Sequence, residues 1–480
     1  MFRTVRGEQF KQYGLNVSDN VNQHWGKDSM NQDMITGKPA RSLIAFALPM
    51  IFGHLFQQFY SLADSIIVGR TLGQDALAAV GSTASIVMVF VSIANGFAIG
   101  VSVIISQLYG AGNHTRMKTA FNTAFMSFIG LSILALGIGL ASGNAIVTLT
   151  GIPEHIVADA KSYYYIYAAG FPGLFFYNVA NSGFNALGKS RMPLIFLLIS
   201  SVMNIGLDLL FILQFHWGVA GAALATTISQ YFAAVIAFIS LLSYLRKNFP
   251  THDKPQLFNL FTLKTILKVA IPSMITSSVI SLGFVAMQSL INSFGTDVMA
   301  AYASGMRIDG IAIVPLIQIG NAVSTFAAQN IGADQFDRIP KGYHVSIFLN
   351  LGICVFMGVL LFFFGNFFIS LFLDADSSAN AIRIGSEYLR IVGSFYFILG
   401  LLYITTGLLR GAGDATMAMI ATLVNFVFRV AFAYISVAIT KTESMIWWSN
   451  LVGWCFGFLV AYIRYRSGKW KQKSVLKSLE

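Results

Sequence analysis

The chain has 480 residues, of which 56% are hydrophobic and only 11% are charged, and its formal net charge is +11. Soluble domains carry roughly 25% charged residues, so this composition excludes a water-soluble globular protein. Long apolar runs recur along the whole sequence, and a run of about 20 apolar residues spans a bilayer as a helix. The sequence therefore predicts an all-α polytopic membrane protein.

Twelve apolar segments are long enough to be membrane spans. A polar N-terminal tail, residues 1–40, precedes them, and a basic tail, residues 468–480, follows them. The predicted spans cover residues 43–67, 79–105, 118–141, 162–183, 193–213, 218–243, 264–293, 302–327, 343–373, 388–408, 415–438 and 446–466.

The distribution of Lys and Arg predicts the orientation of these spans. Twelve spans place both termini on one side of the membrane, and the tails and loops of that side hold most of the 31 Lys and Arg residues. Because such residues accumulate in cytoplasmic segments, we expect a multi-pass protein of the inner (plasma) membrane with both termini in the cytoplasm. The net positive charge then faces anionic lipid, and we expect no nucleic-acid partner.

The two halves of the sequence resemble each other. LGQDALAAVG at 72–81 matches FGTDVMAAYA at 294–303, and VSVIISQLYGAG at 101–112 matches VSTFAAQNIGAD at 323–334 with the same offset. Later in the chain, GKSRMP at 188–193 aligns with GDATMA at 413–418. Each half holds six spans, an even number, so both halves have the same orientation. A pseudo-two-fold axis along the membrane normal must therefore relate them.

The repeat predicts the domain organisation. We expect an N-terminal six-helix bundle at 41–243, a cytoplasmic linker at 244–263 and a C-terminal six-helix bundle at 264–467. Transporters built from two such bundles place their sites between or within the bundles and alternate access by rocking.

Residues 183–190, GFNALGKS, fit the pattern of a phosphate-binding loop. Such a loop follows a β-strand in a soluble α/β domain, whereas long apolar segments precede and follow this one. The second half has Asp414 where Lys189 stands. We interpret the segment as a short basic turn, and we predict neither nucleotide binding nor an enzymatic activity.

Two carboxylates lie well within predicted spans, Asp64 in the first and Asp208 in the fifth. An ionisable residue inside a bilayer costs about 2.5 to 3.5 kcal/mol on insertion scales, so each is a candidate functional residue. Gln57, Tyr60 and Asp64 follow one stripe of a helix, at i, i+3 and i+7. Asn204 and Asp208 are four residues apart and share a face as well.

Further polar pairs at helical spacing occur in the fourth and sixth spans. Asn178 and Asn181 are three residues apart, and Thr226 and Gln230 are four residues apart. Convergence of these stripes would build a wet pocket with two acids in the first half. The second half lacks the two acids, so the ion site is assigned to the first. The alternative is that the acids only form hydrogen bonds with neighbouring helices.

Such a pocket suits a cation. A carboxylate in a poorly solvated site can take up a proton on one side of the membrane and release it on the other. Two carboxylates with amide and hydroxyl oxygens also offer the hard ligands that Na⁺ prefers, and the residues do not choose between the ions. Either ion moving inward gains about 2.3 kcal/mol per charge per 100 mV. We expect no cofactor besides this coupling ion.

The chain resembles the multidrug and toxic compound extrusion (MATE) family over roughly residues 41–465. The resemblance implies twelve helices in two bundles around a central cavity, and export of drugs or metabolites against inward H⁺ or Na⁺. The motifs that carry it are LPMIFGHLFQQFYSLADSIIVG, LGQDALAAVG, SQLYGAGN, NALGKSRMP, NIGLDLLF, AQNIGA and LRGAGDAT.

The resemblance also implies roles for particular residues. Prokaryotic members carry a first-helix carboxylate, matched by Asp64, after a bend-forming proline, matched by Pro49. Another branch carries a glutamate on the seventh helix, where MITSSVISLGFVAMQS has no acid. The branch with a cation site in the N-terminal bundle is therefore expected. Its cation or proton residues, which are also the possible Na⁺ ligands, would be Asp64, Asn204, Asp208 and Thr226. Its substrate-lining residues would be Gln57, Tyr60, Asn178 and Asn181.

The leading hypothesis is a secondary active multidrug efflux antiporter that exports amphipathic organic cations in exchange for H⁺ or Na⁺. We expect it to act as a monomer with small cationic drugs or metabolites and membrane lipid as partners. The alternative is a flippase for lipid-linked precursors, or a metabolite exporter of a related fold. A flippase would line its cavity with several basic residues, and only Arg307 and Arg429 are candidates. An ion channel fits less well, because the sequence contains no selectivity loop.

Overall fold

The computed structural model describes residues 34–150, 152–373 and 379–478. Every regular element in these ranges is a helix, and they contain no β-strand. Most of the predicted N-terminal tail, residues 1–33, lies outside the described residues.

The first half contains seven α-helices, because the fourth predicted span consists of two. A π-helical turn, Leu209–Gln214, extends the sixth of these helices. The helices are α1 (Pro39–Leu72), α2 (Gln74–Gly110), α3 (His114–Thr150), α4 (Val157–Ala169), α5 (Phe171–Ala186), α6 (Arg191–Asp208) and α7 (Gly218–Asn248).

The second half contains eight α-helices, because two of its predicted spans are interrupted. They are α8 (Leu260–Asn292), α9 (Thr296–Ala312), α10 (Val314–Gly332), α11 (Arg338–Ser370), α12 (Ala379–Ser394), α13 (Tyr396–Gly411), α14 (Ala415–Thr440) and α15 (Ser444–Arg466).

Each predicted span coincides with one helix or with a pair of consecutive helices. Among the described residues, ten helices are long and apolar enough to cross a membrane, or eleven if α12 and α13, bent by 49°, form one span. The predicted span 162–183 is not among these helices, because it is divided at Gly170 into α4 and α5, which have only 13 and 16 residues. Pro172 in the first turn of α5 has no backbone N–H to donate to α4, so the helix is interrupted there.

The halves form two bundles, as the repeat predicts. Apolar clusters fill the interior of each bundle, with Phe171 and Phe175 in the first and Tyr388 and Tyr396 in the second, all fully buried. Large apolar side chains such as Phe348, Phe356 and Phe363 of α11 are exposed, as expected for a surface that faces lipid. The helical two-bundle architecture predicted from the sequence is therefore confirmed.

The bundles meet along a seam formed mainly by α2. Helix α8 packs along α2, and α10 packs across both α2 and α1. Pro49 lies inside α1 and Pro272 inside α8, at equivalent positions of the repeat. Each proline removes one backbone hydrogen bond from its helix. Two of the helices that contact the opposite bundle are thus weakened at equivalent places.

The linker between the bundles is shorter than predicted, because α7 continues to Asn248 and α8 begins at Leu260. It lies against α3, where the backbone N–H of Gln256 donates to the Thr119 hydroxyl at 3.1 Å. The Asn259 side chain accepts from the Thr262 backbone N–H at 2.8 Å and caps α8. The linker therefore fixes the start of the second bundle on the first.

A buried ion pair holds the turn between α13 and α14 in place. The Asp414 carboxylate, before α14, lies 2.6 Å from the Arg464 guanidinium at the end of α15. Only 4% of the Asp414 side chain and 16% of the Arg464 side chain are exposed. Since both charges are satisfied within the fold, Asp414 has the surroundings of a structural residue.

We predict that Asp414→Asn lowers the thermal unfolding temperature of the purified protein, because it leaves Arg464 without its partner. Loss of the charge-assisted hydrogen bond between Arg464 and Asp414 should cost about 1.5 to 3 kcal/mol. The matched control is Glu387→Gln, which breaks the exposed pair with Arg383 and should cost about 0.5 kcal/mol or less. Equal unfolding temperatures for the two variants would contradict a structural role for Asp414.

Candidate functional site

The candidate site lies where α1, α6 and α7 meet in the first bundle. Helix α1 supplies Tyr60 and Asp64, α6 supplies Asn204 and Asp208, and α7 supplies Thr226. Asp208 is the last residue of α6, and the π-helical turn follows directly. Such turns occur frequently at functional sites. The polar stripes of the first, fifth and sixth predicted spans therefore converge as expected.

Asn204 links the three helices. In the amide orientation that satisfies both ends of the side chain, its nitrogen donates to Asp208 Oδ2 at 3.2 Å and to the Tyr60 hydroxyl at 3.3 Å. Its oxygen accepts from the Thr226 backbone N–H at 3.1 Å. We assign this orientation because the reversed amide would place its oxygen against acceptors only.

The two acids of the site contact each other. The carboxyl groups of Asp64 and Asp208 lie within hydrogen-bonding reach, although they belong to different helices. Asp208 is fully buried and Asn204 is 1% exposed. One oxygen of each carboxyl group, Oδ1, is buried and has no hydrogen-bond donor among the described residues. A shared proton, or a cation between the carboxyl groups, would relieve their repulsion.

Tyrosines surround the carboxyl pair. The side chains of Tyr60 and Thr226 lie close enough to each other to interact. Tyr167 of α4 lies close enough to Asp64 to interact with it electrostatically, and its hydroxyl accepts from Gln230 Nε2 at 3.3 Å. Sequence reasoning missed Tyr167. The four-residue spacing of Tyr163 and Tyr167 could have indicated it, because this spacing places both rings on one face of α4. The two rings stack there with their centroids 5.9 Å apart.

The residues predicted to line a substrate path do not form a single group. Tyr60 belongs to the carboxyl cluster, and Gln57 is exposed on α1 one turn before it. Asn178 donates to the Leu174 carbonyl of its own helix at 2.8 Å. Asn181 lies close enough to the Tyr177 side chain, also on α5, to interact with it. Both asparagines are half-buried on α5, and these side-chain contacts lie within that helix.

The second bundle contains a buried acid of its own. The Tyr396 hydroxyl donates to Asp309 Oδ1, and the Tyr388 side chain lies close enough to interact with the same carboxyl group. The guanidinium of Arg429 lies close enough to interact electrostatically with Asp309. Donors and a positive charge thus surround Asp309.

The segment GFNALGKS is a turn between α5 and α6. The backbone N–H groups of Leu187, Gly188 and Lys189 donate to carbonyl oxygens of α5 at 2.9–3.1 Å. A phosphate-binding loop needs such N–H groups free for the phosphate. The Lys189 ammonium instead lies 5.9 Å from the Tyr244 ring centroid. The segment therefore lacks the geometry of a nucleotide site.

Two repeated helical bundles that meet at a seam, with an acid pair buried in the first, define a polytopic membrane transporter. The MatE family model matches residues 49–210 and 272–435, once in each half. The chain belongs to the MatE family. This is the family that the sequence motifs indicated, and its members are transporters and not enzymes.

Relatives and solved structures agree with this assignment. The probable multidrug resistance protein YpnP of Bacillus subtilis is 29% identical, and the alignment covers 92% of this chain and 97% of YpnP. A structure described as the outward-facing conformation of a multidrug resistance MATE family transporter is 27% identical, with a TM-score of 0.81 and coverage of 92% and 98%. A crystal structure of a MATE in complex with MaL6 has a TM-score of 0.83 at 24% identity, with coverage of 92% and 99%.

We predict that Thr226→Val weakens the site, because it removes the hydroxyl that contacts Tyr60 and preserves the side-chain shape. Loss of this polar contact should weaken ion-dependent transport roughly two- to tenfold. The matched control is Thr227→Val, since Thr227 is equally buried but its hydroxyl donates to the Ile166 carbonyl. The measurement is the concentration of coupling ion that half-saturates drug flux in proteoliposomes. The same value for both variants would contradict a role for Thr226 in the site.

Proposed function

We propose that the protein is a secondary active multidrug efflux antiporter that exports amphipathic organic cations in exchange for H⁺ or Na⁺. The observation that carries this proposal is the contact between the Asp64 and Asp208 carboxyl groups inside a membrane-spanning bundle. The names of the relatives, probable multidrug resistance protein and multidrug resistance transporter, support a drug as the exported substrate.

The acid pair can exchange a cation for a drug. Two nearby carboxylates repel each other unless a proton or a cation reduces their joint charge, so their titrations are coupled. The hydroxyl oxygens of Tyr60 and Thr226 lie beside the pair and could complete a shell of oxygen ligands around Na⁺. An organic cation that displaces this ion would couple drug export to ion entry, because the site binds only one of the two cations at a time.

The orientation of the protein follows from its charges. Lys and Arg cluster in the tails and in the loops on the terminal side, which supports cytoplasmic termini in the inner (plasma) membrane. The coupling ion then enters with the membrane potential, which supplies about 2.3 kcal/mol per charge per 100 mV. We propose a monomer, because each chain carries both bundles and the complete acid site.

A flippase for lipid-linked precursors is the second candidate, and the basic residues favour it less. Arg307 is exposed and lies 5.8 Å from the Phe372 ring centroid. Arg429 is buried and interacts with Asp309. An anionic pyrophosphate would therefore compete with a carboxylate for Arg429, whereas a cation is attracted to the Asp64–Asp208 pair.

We predict that Asp64→Asn and Asp208→Asn each abolish gradient-driven drug flux, because each leaves a single carboxyl group in the site. The measurement uses proteoliposomes with ethidium, first with a pH gradient without sodium and then with a sodium gradient without a pH difference. Whichever gradient drives the wild-type protein identifies the coupling ion.

The control for charge is Asp75→Asn, which neutralises an exposed acid at the start of α2, near His155. It should transport at the wild-type rate. Unchanged flux in Asp208→Asn under both gradients would contradict the proposed site.

A further inference from the structure

Two buried glutamines join the bundles where α2 and α10 pack together. Gln107 of α2 donates from Nε2 to the Gly411 carbonyl oxygen of the second half at 2.8 Å. Gln329 of α10 donates from Nε2 to the Ala186 carbonyl oxygen of the first half at 2.7 Å. Gln107 is 0% exposed and Gln329 is 1% exposed. Each side chain therefore makes a water-shielded hydrogen bond across the seam.

The internal repeat relates these two hydrogen bonds. The alignment of VSVIISQLYGAG with VSTFAAQNIGAD makes Gln107 equivalent to Gln329. The alignment of GKSRMP with GDATMA, extended by two residues, makes Ala186 equivalent to Gly411. The same donor on each half thus reaches the same acceptor on the other half. The pseudo-two-fold axis passes between these two hydrogen bonds.

Two glycines make this close approach of the helices possible. A side chain on Gly110 of α2 would collide with the Gln329 backbone, and one on Gly332 of α10 would collide with the Gln107 backbone. Gly110 and Gly332 are equivalent in the repeat as well. The two helix backbones are therefore in direct contact. Any separation of the bundles at this end of the seam, near the C-termini of α2 and α10, must break both glutamine hydrogen bonds.

The C-terminal segment completes the contact on one side only. The backbone N–H of Val475 donates to Gln107 Oε1 at 3.0 Å, and the Ser474 hydroxyl donates to the same atom at 3.1 Å. A short 3₁₀ turn, Val475–Ser478, follows, and Val475 packs into the apolar cluster of the first bundle. We call residues 474–478 the strap. It holds the Gln107 side chain in the orientation that reaches Gly411.

We propose that Gln107 and Gln329 form a latch that closes this end of the transporter, and that the strap holds the latch shut. The inference rests on the proposed function, because alternating access requires the seam at this end to open. Water can hydrate both glutamines once the bundles separate, so opening does not leave buried donors without partners. A pair of exchangeable hydrogen bonds suits a contact that must form and break in every transport cycle.

A single-cysteine reporter tests the latch without substrate or coupling ion. Ser106 is fully buried, and its hydroxyl contacts the Ala186 carbonyl that also accepts from Gln329. The reporter is Ser106→Cys in a chain that carries Cys354→Ala and Cys455→Ser. The rate at which a maleimide labels this cysteine in the purified full-length protein measures how often the seam opens.

We expect Gln107→Ala and Gln329→Ala each to raise the labelling rate by about two- to tenfold, and the double variant to raise it further. Gly332→Ala should also raise it, because the added methyl group separates the helices. The matched control is Gln318→Ala on the same helix α10. Gln318 is 2% exposed, and its side chain accepts from Asn321 within the second half. It should leave the labelling rate unchanged.

The strap has its own pair of variants. Val475→Pro removes the N–H that donates to Gln107, whereas Val475→Ala keeps it. Labelling should therefore be faster in Val475→Pro than in Val475→Ala. Equal rates for these two variants would overturn the role of the strap.

A second reporter separates opening from loosening of the fold. Ser386→Cys on α12 is buried within the second half, 2% exposed, and should stay unlabelled in every variant. Faster labelling at both reporters would overturn the latch, and so would a glutamine double variant that labels like Gln318→Ala. Neither outcome depends on gradient-driven drug flux, so the failure of the proposed function would be recognised separately.

Discussion

The contact between two carboxyl groups inside a membrane-spanning bundle is the constraint on which the site depends. Asp64 and Asp208 come from different helices, and each has one buried oxygen without a donor among the described residues. Two carboxylates at this separation repel each other in a poorly solvated environment, where charge interactions are strong. If the proposed function holds, a proton or a cation reduces this charge, and the packing of α1 against α6 then depends on ion binding.

The same dependence connects the site to the rest of the fold. Asn204 of α6 contacts Asp208 and Tyr60 and is hydrogen-bonded to the backbone of α7. A change in the charge of the acid pair can therefore alter the contacts among α1, α6 and α7. Helix α1 also packs against α10 of the other bundle, and Pro49 lies inside α1 before the acid. A first bundle that rearranges with its ion can in this way affect the seam, where Gln107 and Gln329 hold the two halves together.

Much of the fold could be predicted from the sequence, because apolar length and the spacing of polar residues are local properties. The spacing of Asn204 and Asp208 placed both on one face of α6, and Thr226 was expected beside them. The interruption at Gly170 was missed, since the apolar run continues through it. The sequence repeat showed that Gln107 and Gln329 are equivalent, but not that each bonds to the opposite half. Such contacts depend on how whole helices pack, which residue spacing does not encode.

If drug and coupling ion alternate at the acid pair, the drug must displace the ion from the purified protein. Purified protein is equilibrated with radioactive Na⁺ in weakly buffered solution, and ethidium is added while bound Na⁺ and released protons are followed. The account predicts that ethidium displaces one of these ions from the wild-type protein, and neither ion from Asp64→Asn or Asp208→Asn. Ethidium that binds the wild-type protein and leaves both bound Na⁺ and bound protons unchanged would contradict the account.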